Sequence, residues 1–356
     1  MLSEDEKYIR RCNELAVQGA GYTSPNPLVG SVVVYNREII GEGYHREYGK
    51  THAEINAIES VKNKELLKKS TLYVNLEPCS HYGNTPPCAR RIVLEGIPKV
   101  VIGTTDTSSK VAGKGINILK EGLCNVTEGV LEEECREVNR RFFTYYEKKR
   151  PYIILKWAQT MDGFIDKIRN AGDPIQPNWI TNQLSKQLVH KWRTEEAGIL
   201  VGKNTAVMDD PQLTAREWKG KNPSRFLIYE DLNSMDSLRL MKDEFPLTVF
   251  RDQKMVSDFQ HEKQTSKEFI DIGFDQKLEK EILRIIWEKK INSLIIEGGS
   301  QTLQKFINKK LWDEARVFVG EKIFGEGIKA PEIKNKKLIE MEDLKETRLY
   351  FFRKNL

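Results

Sequence analysis

At 356 residues the chain is long enough for two domains and too long for one ordinary core. Hydrophobic residues at 39% and charged residues at 31% exclude a disordered or fibrous chain. A net charge of +5, spread over 57 basic and 52 acidic residues, excludes a concentrated polyanion-binding stripe, so no nucleic-acid partner is expected.

No run approaches the roughly 20 apolar residues that a membrane span needs. The opening Met1-Leu2-Ser3-Glu4-Asp5-Glu6 is acidic where a signal peptide is basic. The expected location is the cytoplasm, where five cysteines are poor material for disulfides. Cys12, Cys124 and Cys135 fall in amphipathic stretches and read as small buried hydrophobes.

The first segment opens on a capping box, Ser3 with Glu6, followed by helical spacing of Tyr8, Ile9, Cys12, Leu15 and Ala16. A Gly/Pro/Asn loop leads to strands at Val29–Tyr35 and Ile39–Tyr44. A helix follows from about His52 to Lys62, then a strand at Thr71–Leu76. A proline-rich loop enters a short helix near Cys88–Glu95, and a strand at Lys99–Gly103 ends the clear pattern. Lys148-Lys149-Arg150-Pro151 marks the boundary, giving domains 1–147 and 151–356. Beyond it, strands are predicted at Tyr152–Ala158, Ala197–Gly202, Arg225–Tyr229, Leu247–Phe250, Phe269–Ile272, Ser293–Ile296 and Arg316–Val319. Helices are predicted at Asn182–Trp192 and Leu278–Lys289, with another from about Gln301. Both halves read as layered α/β domains.

The chemistry concentrates in the first half. His52-Ala53-Glu54 opens a helix, Pro78-Cys79 leaves a strand, and Cys88 opens the next helix after Pro86-Pro87. One His and two Cys form a soft three-ligand set for Zn²⁺ that leaves the fourth tetrahedral position open for water. The pKa of such a water falls to about 7. Glu54, two residues from His52, is placed to shuttle its proton to departing ammonia without being a ligand. H-x-E…P-C…C is the general signature of zinc deaminases. A structural site would need a fourth ligand, for which His81 and His45 are available. Nucleic-acid deaminases carry P-C-x-x-C; here eight residues, Ser80–Pro87, separate the cysteines and would overhang the metal.

The chain resembles the bifunctional riboflavin-biosynthesis deaminase/reductase family. The likeness rests on Asn26-Pro27-x-Val29-Gly30, Gly43-x-His45, Gly49-x-x-His52-Ala53-Glu54 and Pro78-Cys79-Ser80-His81-x-Gly83-x-Thr85-Pro86-Pro87-Cys88. It continues through Arg150-Pro151, Lys156, Asp162-Gly163, Trp179-Ile180-Thr181, Leu200-Val201-Gly202, Asp210-Pro211 and Glu297-Gly298-Gly299. It implies a cytidine-deaminase-like three-layer domain followed by a dihydrofolate-reductase-like domain. The first would deaminate a diaminopyrimidinone carrying a ribosylamino 5′-phosphate; the second would reduce the ribosyl group to ribityl with NADPH. Homo-oligomers are usual for such folds. The alternative is a deaminase of another nucleobase-like substrate with an inactive or divergent reductase half.

By the same resemblance, Asn26, His45, His81 and Thr85 surround the deaminase substrate. Ala158, Trp179, Thr205, Asp209, Gly299, Ser300, Gln301, Thr302 and Leu303 line the cofactor groove. Lys156, Arg193, Leu213, Arg216 and Glu297 meet the reductase substrate. On its own residues, Ile295–Ser300 is a strand running into a glycine turn and a helix start, where backbone N–H groups hold phosphate. Three positions depart from the family. Asn84 stands where a basic residue is usual, Thr107-Ser108-Ser109 replaces Pro-Asn-Pro, and Pro177 replaces a serine in a lengthened loop, Ile168–Asn178. A neutral amide is the weaker phosphate contact, for which Lys110 or Lys114 would compensate.

Overall fold

The computed structural model describes residues 2–80, 86–107, 113–170, 173–230, 235–255 and 266–355. Two compact units divide the chain, Met1–Lys149 and Arg150–Leu356.

In the first unit, α1 (Glu4–Ala16) starts on the predicted capping box: Ser3 Oγ accepts from the Glu6 amide at 3.2 Å, and Glu6 Oε2 from the Ser3 amide at 2.7 Å. There follow β1 (Gly30–Tyr35), β2 (Glu38–Tyr44), α2 (Ala53–Ser60), β3 (Thr71–Leu76), α3 (Cys88–Leu94) and β4 (Lys99–Thr104). Then come α4 (Lys114–Glu121), β5 (Asn125–Thr127), α5 (Glu132–Val138) and α6 (Arg140–Lys148). The sheet order is β2-β1-β3-β4-β5, antiparallel on the β2 side and parallel from β3 to β5. Side chains alternate across it, as the period of a strand requires. Val33, Leu72, Val74, Val100 and Ile102 pack under α2, α3 and α4. Val32, Val34, Tyr73 and Val101 pack under α1 and Cys135 of α5. Helices on both faces make three layers.

The elements after β4 escape sequence reading for a local reason. The residues before α4 and α5, Gly113 (φ 76) and Leu131 (φ 54), lie in the left-handed region and offer no side-chain cap.

The second unit begins with β6 (Tyr152–Gln159), β7 (Phe164–Asp166), α7 (Gln183–Glu195), β8 (Gly198–Gly202), α8 (Lys203–Asp209), β9 (Ser224–Ile228) and α9 (Arg239–Lys242). It continues with β10 (Leu247–Asp252), β11 (Lys267–Ile272), α10 (Leu278–Glu288), β12 (Ser293–Glu297), α11 (Ser300–Asn308) and β13 (Glu314–Gly320). It ends with β14 (Ile328–Lys329), β15 (Lys336–Asp343) and β16 (Thr347–Lys354). The main sheet runs β11-β10-β9-β8-β12-β6-β13-β16-β15, parallel from β11 to β13, with an antiparallel hairpin added at one edge. Ile154 and Ile295 point to a core beneath α7; Ile153, Leu155, Leu294 and Ile296 point to one beneath α10 and α11. The hairpin has no counterpart in the sequence reading, because β15 is exposed along almost its whole length and shows no apolar alternation.

All five cysteines are free, and Cys12, Cys124 and Cys135 are buried as expected. Among the described residues no helix is long and apolar enough to cross a membrane.

Candidate active sites

In the first unit, the end of β3 and the starts of α2 and α3 converge. His52 caps α2, Cys79 lies three residues beyond β3 and Cys88 opens α3, and their ligand atoms all lie within 4.8 Å of one another. His52 Nδ1 is 3.5 Å from Cys79 Sγ and 3.3 Å from Cys88 Sγ. Zinc bonds of about 2.0 Å to nitrogen and 2.3 Å to sulfur, at a tetrahedral angle, place such atoms about 3.5 Å apart. The set therefore fits Zn²⁺ with one coordination position left over. The hydrogen bond between the thiols draws Cys79 down in pKa and holds Cys88 up. The bond to Cys79 lifts His52 to about 9.

Glu54 is 3% exposed, in the first turn of α2, and its carboxyl contacts the Cys88 sulfur. Burial pushes its carboxyl up to about 7. A group of that pKa exchanges protons near neutrality.

His45 does not join the cluster as a fourth ligand. Its ring stands edge-on to His52 with centroids 5.2 Å apart, and both its nitrogens are engaged. Nδ1 lies 3.1 Å from the Thr51 carbonyl oxygen, which only accepts, so Nδ1 carries the proton. Nε2 is left to take the Asn26 amide at 3.2 Å. Burial lowers the pKa of His45, which keeps the ring neutral. Asn26 and His45 are thus brought to the cluster as one hydrogen-bonded pair.

Behind Cys79 lies Glu77, a buried carboxylate not singled out in the sequence. It accepts backbone N–H groups from Asp106 at 3.2 Å, Gly113 at 3.0 Å, Gly115 at 2.9 Å and Ile116 at 3.3 Å. Gly115 passes so close to Pro78 that an added Cβ would meet its carbonyl oxygen at 1.9 Å. Glu77→Ala strips the acceptor from four inward-facing donors. It should lower unfolding free energy by at least about 3 kcal/mol, read as a drop in the denaturant midpoint.

In the second unit, a cavity of about 600 Å³ opens beyond the C-terminal ends of β6, β8, β9 and β12. That end of a parallel sheet is where ligands of open α/β folds bind. Glu297, the last residue of β12, receives Arg193 of α7 through Nε at 3.2 Å and Nη2 at 2.8 Å. Lys156 Nζ of β6 lies 3.7 Å from the same carboxylate. Burial works against ionising Glu297, but Arg193 and Lys156 outweigh it and hold the carboxyl near about 2. Arg216 differs: its guanidinium donates to Thr214 Oγ1 at 3.2 Å and has no carboxylate partner among the described residues. Arg216 is exposed at the cavity wall, where its charge is open to an anion.

Gly298 has φ 118, and an added Cβ would meet Thr205 Oγ1 at 2.4 Å. Only glycine lets this turn press on α8, where the Gly299 amide donates to Thr205 Oγ1 at 2.8 Å. No side chain caps α11, so its first-turn N–H groups remain free for a phosphate. This arrangement, with the cavity beside it, fits a dinucleotide cofactor.

Residues 151–349 match the RibD C-terminal domain, and residues 2–104 match the cytidine and deoxycytidylate deaminase zinc-binding region. The riboflavin biosynthesis protein RibD of Aquifex aeolicus is 39% identical over 326 residues, covering 91% of this chain and 89% of its own. That of Escherichia coli is 31% identical over 334 residues, covering 90% and 89%. A crystal structure of the Thermotoga maritima diaminohydroxyphosphoribosylaminopyrimidine deaminase/5-amino-6-(5-phosphoribosylamino)uracil reductase is 35% identical and covers 99% of both chains, with a TM-score of 0.87.

The chain belongs to the RibD family.

Of the positions carried over from that family, Ala158, Trp179, Thr205, Asp209, Gly299, Ser300, Gln301 and Thr302 line the cavity, as do Lys156, Arg193, Leu213, Arg216 and Glu297. Leu303 does not. On α11 it shares a face with Phe306, and both side chains are fully buried in the core. Arg193 also donates through its third nitrogen to the Thr214 carbonyl at 3.1 Å. Its first task is to hold Glu297. His81, Asn84, Thr85, Ser108, Ser109 and Lys110 lie outside the described residues.

Two residues lining the cavity were missed from sequence. Arg169, in the lengthened loop, donates to Asp166 and Asp209, each at 3.0 Å, and to the Met208 carbonyl at 2.6 Å. Asn178 donates to the same Asp166 at 2.5 Å. The loop is thus fastened to α8 by charge. Nothing in the loop's sequence names Arg169's partners. His190 is the second, and its spacing three residues before Arg193 was the available signal.

Proposed function

We propose that residues 1–147 form a zinc-dependent deaminase and residues 151–356 an NADPH-dependent reductase acting consecutively in riboflavin biosynthesis. The substrate of the first is a 2,5-diamino-6-ribosylamino-4(3H)-pyrimidinone 5′-phosphate. The observation that carries the reading is the His52–Cys79–Cys88 cluster with Glu54 against it, in a chain whose other half bears a separate cavity with an anion site.

Zinc held by His52, Cys79 and Cys88 would supply a water acidified to about pKa 7. Glu54 takes the proton of that water on its carboxylate and returns it to the amino group that leaves as ammonia. Asn26 and His45 form one wall of the substrate pocket. Neutral His45 locks the Asn26 amide, fixing which polar edge the pyrimidine ring meets.

In the other half, NADPH held along the Gly298-Gly299 turn and the start of α11 would supply hydride to C1′ of the ribosyl group. Lys156, paired with Glu297, holds the proton that the opening sugar oxygen needs. Arg216 provides the charge that meets the 5′-phosphate. The protein is expected in the cytoplasm, with no nucleic-acid partner and as a homo-oligomer. The cavity's small volume and internal polarity favour a small-molecule substrate.

The test couples the two halves. Purified protein given the diaminopyrimidinone phosphate and NADPH should consume NADPH, and a zinc chelator should stop it. With the deaminated product supplied instead, consumption should continue despite the chelator. Ammonia release without NADPH consumption would leave the alternative, a deaminase with a divergent reductase half.

A further inference from the structure

Two buried groups on α7, Arg193 and His190, face the reductase cavity one helical turn apart, and only Arg193 has been given a part, holding Glu297. His190 is 3% exposed. Its Nδ1 accepts the backbone N–H of Arg216 at 3.0 Å. A backbone N–H only donates, so Nδ1 is unprotonated and the neutral ring carries its proton on Nε2. Burial and the flanking Arg193 and Arg216 keep it neutral, lowering its pKa to about 4. Among the described residues Nε2 has no hydrogen-bond partner. The same wall therefore presents one unpaired cation, Arg216, and one oriented uncharged donor, His190 Nε2–H. Arg193 places three of its five N–H donors on Glu297 and Thr214, so most of its hydrogen-bonding capacity is used there. A phosphate monoester matches this pair, since it accepts several hydrogen bonds at once and needs the charge of Arg216.

We propose that His190 is a specificity-determining residue of the reductase half, donating Nε2–H to the substrate phosphate while its Nδ1 fixes the Arg216 backbone. The proposal rests on reading the cavity as a sugar-phosphate site.

Two variants separate the functions of the ring. Asn at this position keeps an acceptor near the Arg216 amide and removes the distal donor, whereas Ala removes both. His190→Asn should raise KM for the phosphorylated substrate by about tenfold to a hundredfold, with kcat within threefold and KM for NADPH unchanged. The penalty should vanish for the dephosphorylated substrate. An unchanged KM, or an equal rise for both substrates, overturns the proposal.

A second readout does not need turnover. The chain has only five histidines, so ¹⁵N-histidine spectra are tractable. One ring should show an unprotonated Nδ1 and a protonated Nε2, and its loss in His190→Ala assigns it. Ribose 5-phosphate should shift its Nε2–H, and ribose should not. An Nδ1-protonated ring, or no response to the phosphate, overturns the assignment. If the parent protein fails to oxidise NADPH yet His190 responds to ribose 5-phosphate, the reductase reading falls and the phosphate contact stands.

Discussion

Glu54→Gln should keep its zinc and lose ammonia release. Glu54 contacts the Cys88 sulfur yet belongs to no ligand position, since His52, Cys79 and Cys88 already complete a three-point set. The amide fills the same volume but cannot carry a proton at neutral pH. General acid–base catalysis is worth roughly 10²–10⁴-fold, and turnover should fall by that factor. Metal content by elemental analysis should equal that of the parent. NADPH oxidation should also equal it when the deaminated product is supplied, because the two units have separate cores. Parent-level ammonia release in the variant would make the cluster a structural zinc site with a bystander carboxylate. Metal loss would instead make Glu54 a ligand.

Glu297→Gln should destabilise the second unit strongly. The buried carboxylate neutralises buried Arg193 through two hydrogen bonds and faces the partly buried Lys156 at 3.7 Å. Removing one partner of such a network leaves unpaired charge in low dielectric, at a cost of about 3–5 kcal/mol. Reductase activity should disappear, and ammonia release should persist. The pH dependence has a definite sign. The folded-state pKa lies below the ordinary 4.5, so the contribution is complete above about 4.5 and drains as pH falls toward about 2. The difference in unfolding midpoint between parent and variant should narrow through that window. A constant difference across it would mean that the carboxylate's charge is not what stabilises the unit.

The zinc cluster was legible because its chemistry is local. His52, Glu54, Cys79 and Cys88 each stand at the terminus of an element, and element termini are what periodicity and prolines reveal best. Strands β3 and β4 and the central strands of the second sheet were legible for the same reason, being apolar runs bounded by turns. What stayed hidden depends on partners far away in the chain. Glu77 is unremarkable until its four donors, 29 to 39 residues later, are seen around it. Arg169 meets Asp209 across 40 residues, and Arg193 meets Glu297 across 104. Resemblance placed Arg193 beside the reductase substrate, and only the folded chain shows that its guanidinium also holds a carboxylate. Leu303 illustrates the converse. Resemblance put it in the cofactor groove, yet the rotation of α11 turns its side chain into the core.

In the parallel ladder Lys156 of β6 stands directly opposite Glu297 of β12, with Leu155 opposite Ile296 and Ile154 opposite Ile295 on the preceding rungs. The spacing of the reactive pair is therefore set by the same backbone register that aligns the core. Inserting or deleting one residue in either strand would turn a charged group into oil and an isoleucine into the cavity. Strands of this kind are closed to gradual change. Evolution of new substrate preference, natural or in the laboratory, has its freedom in the segments that no ladder holds, above all the lengthened 168–178 stretch.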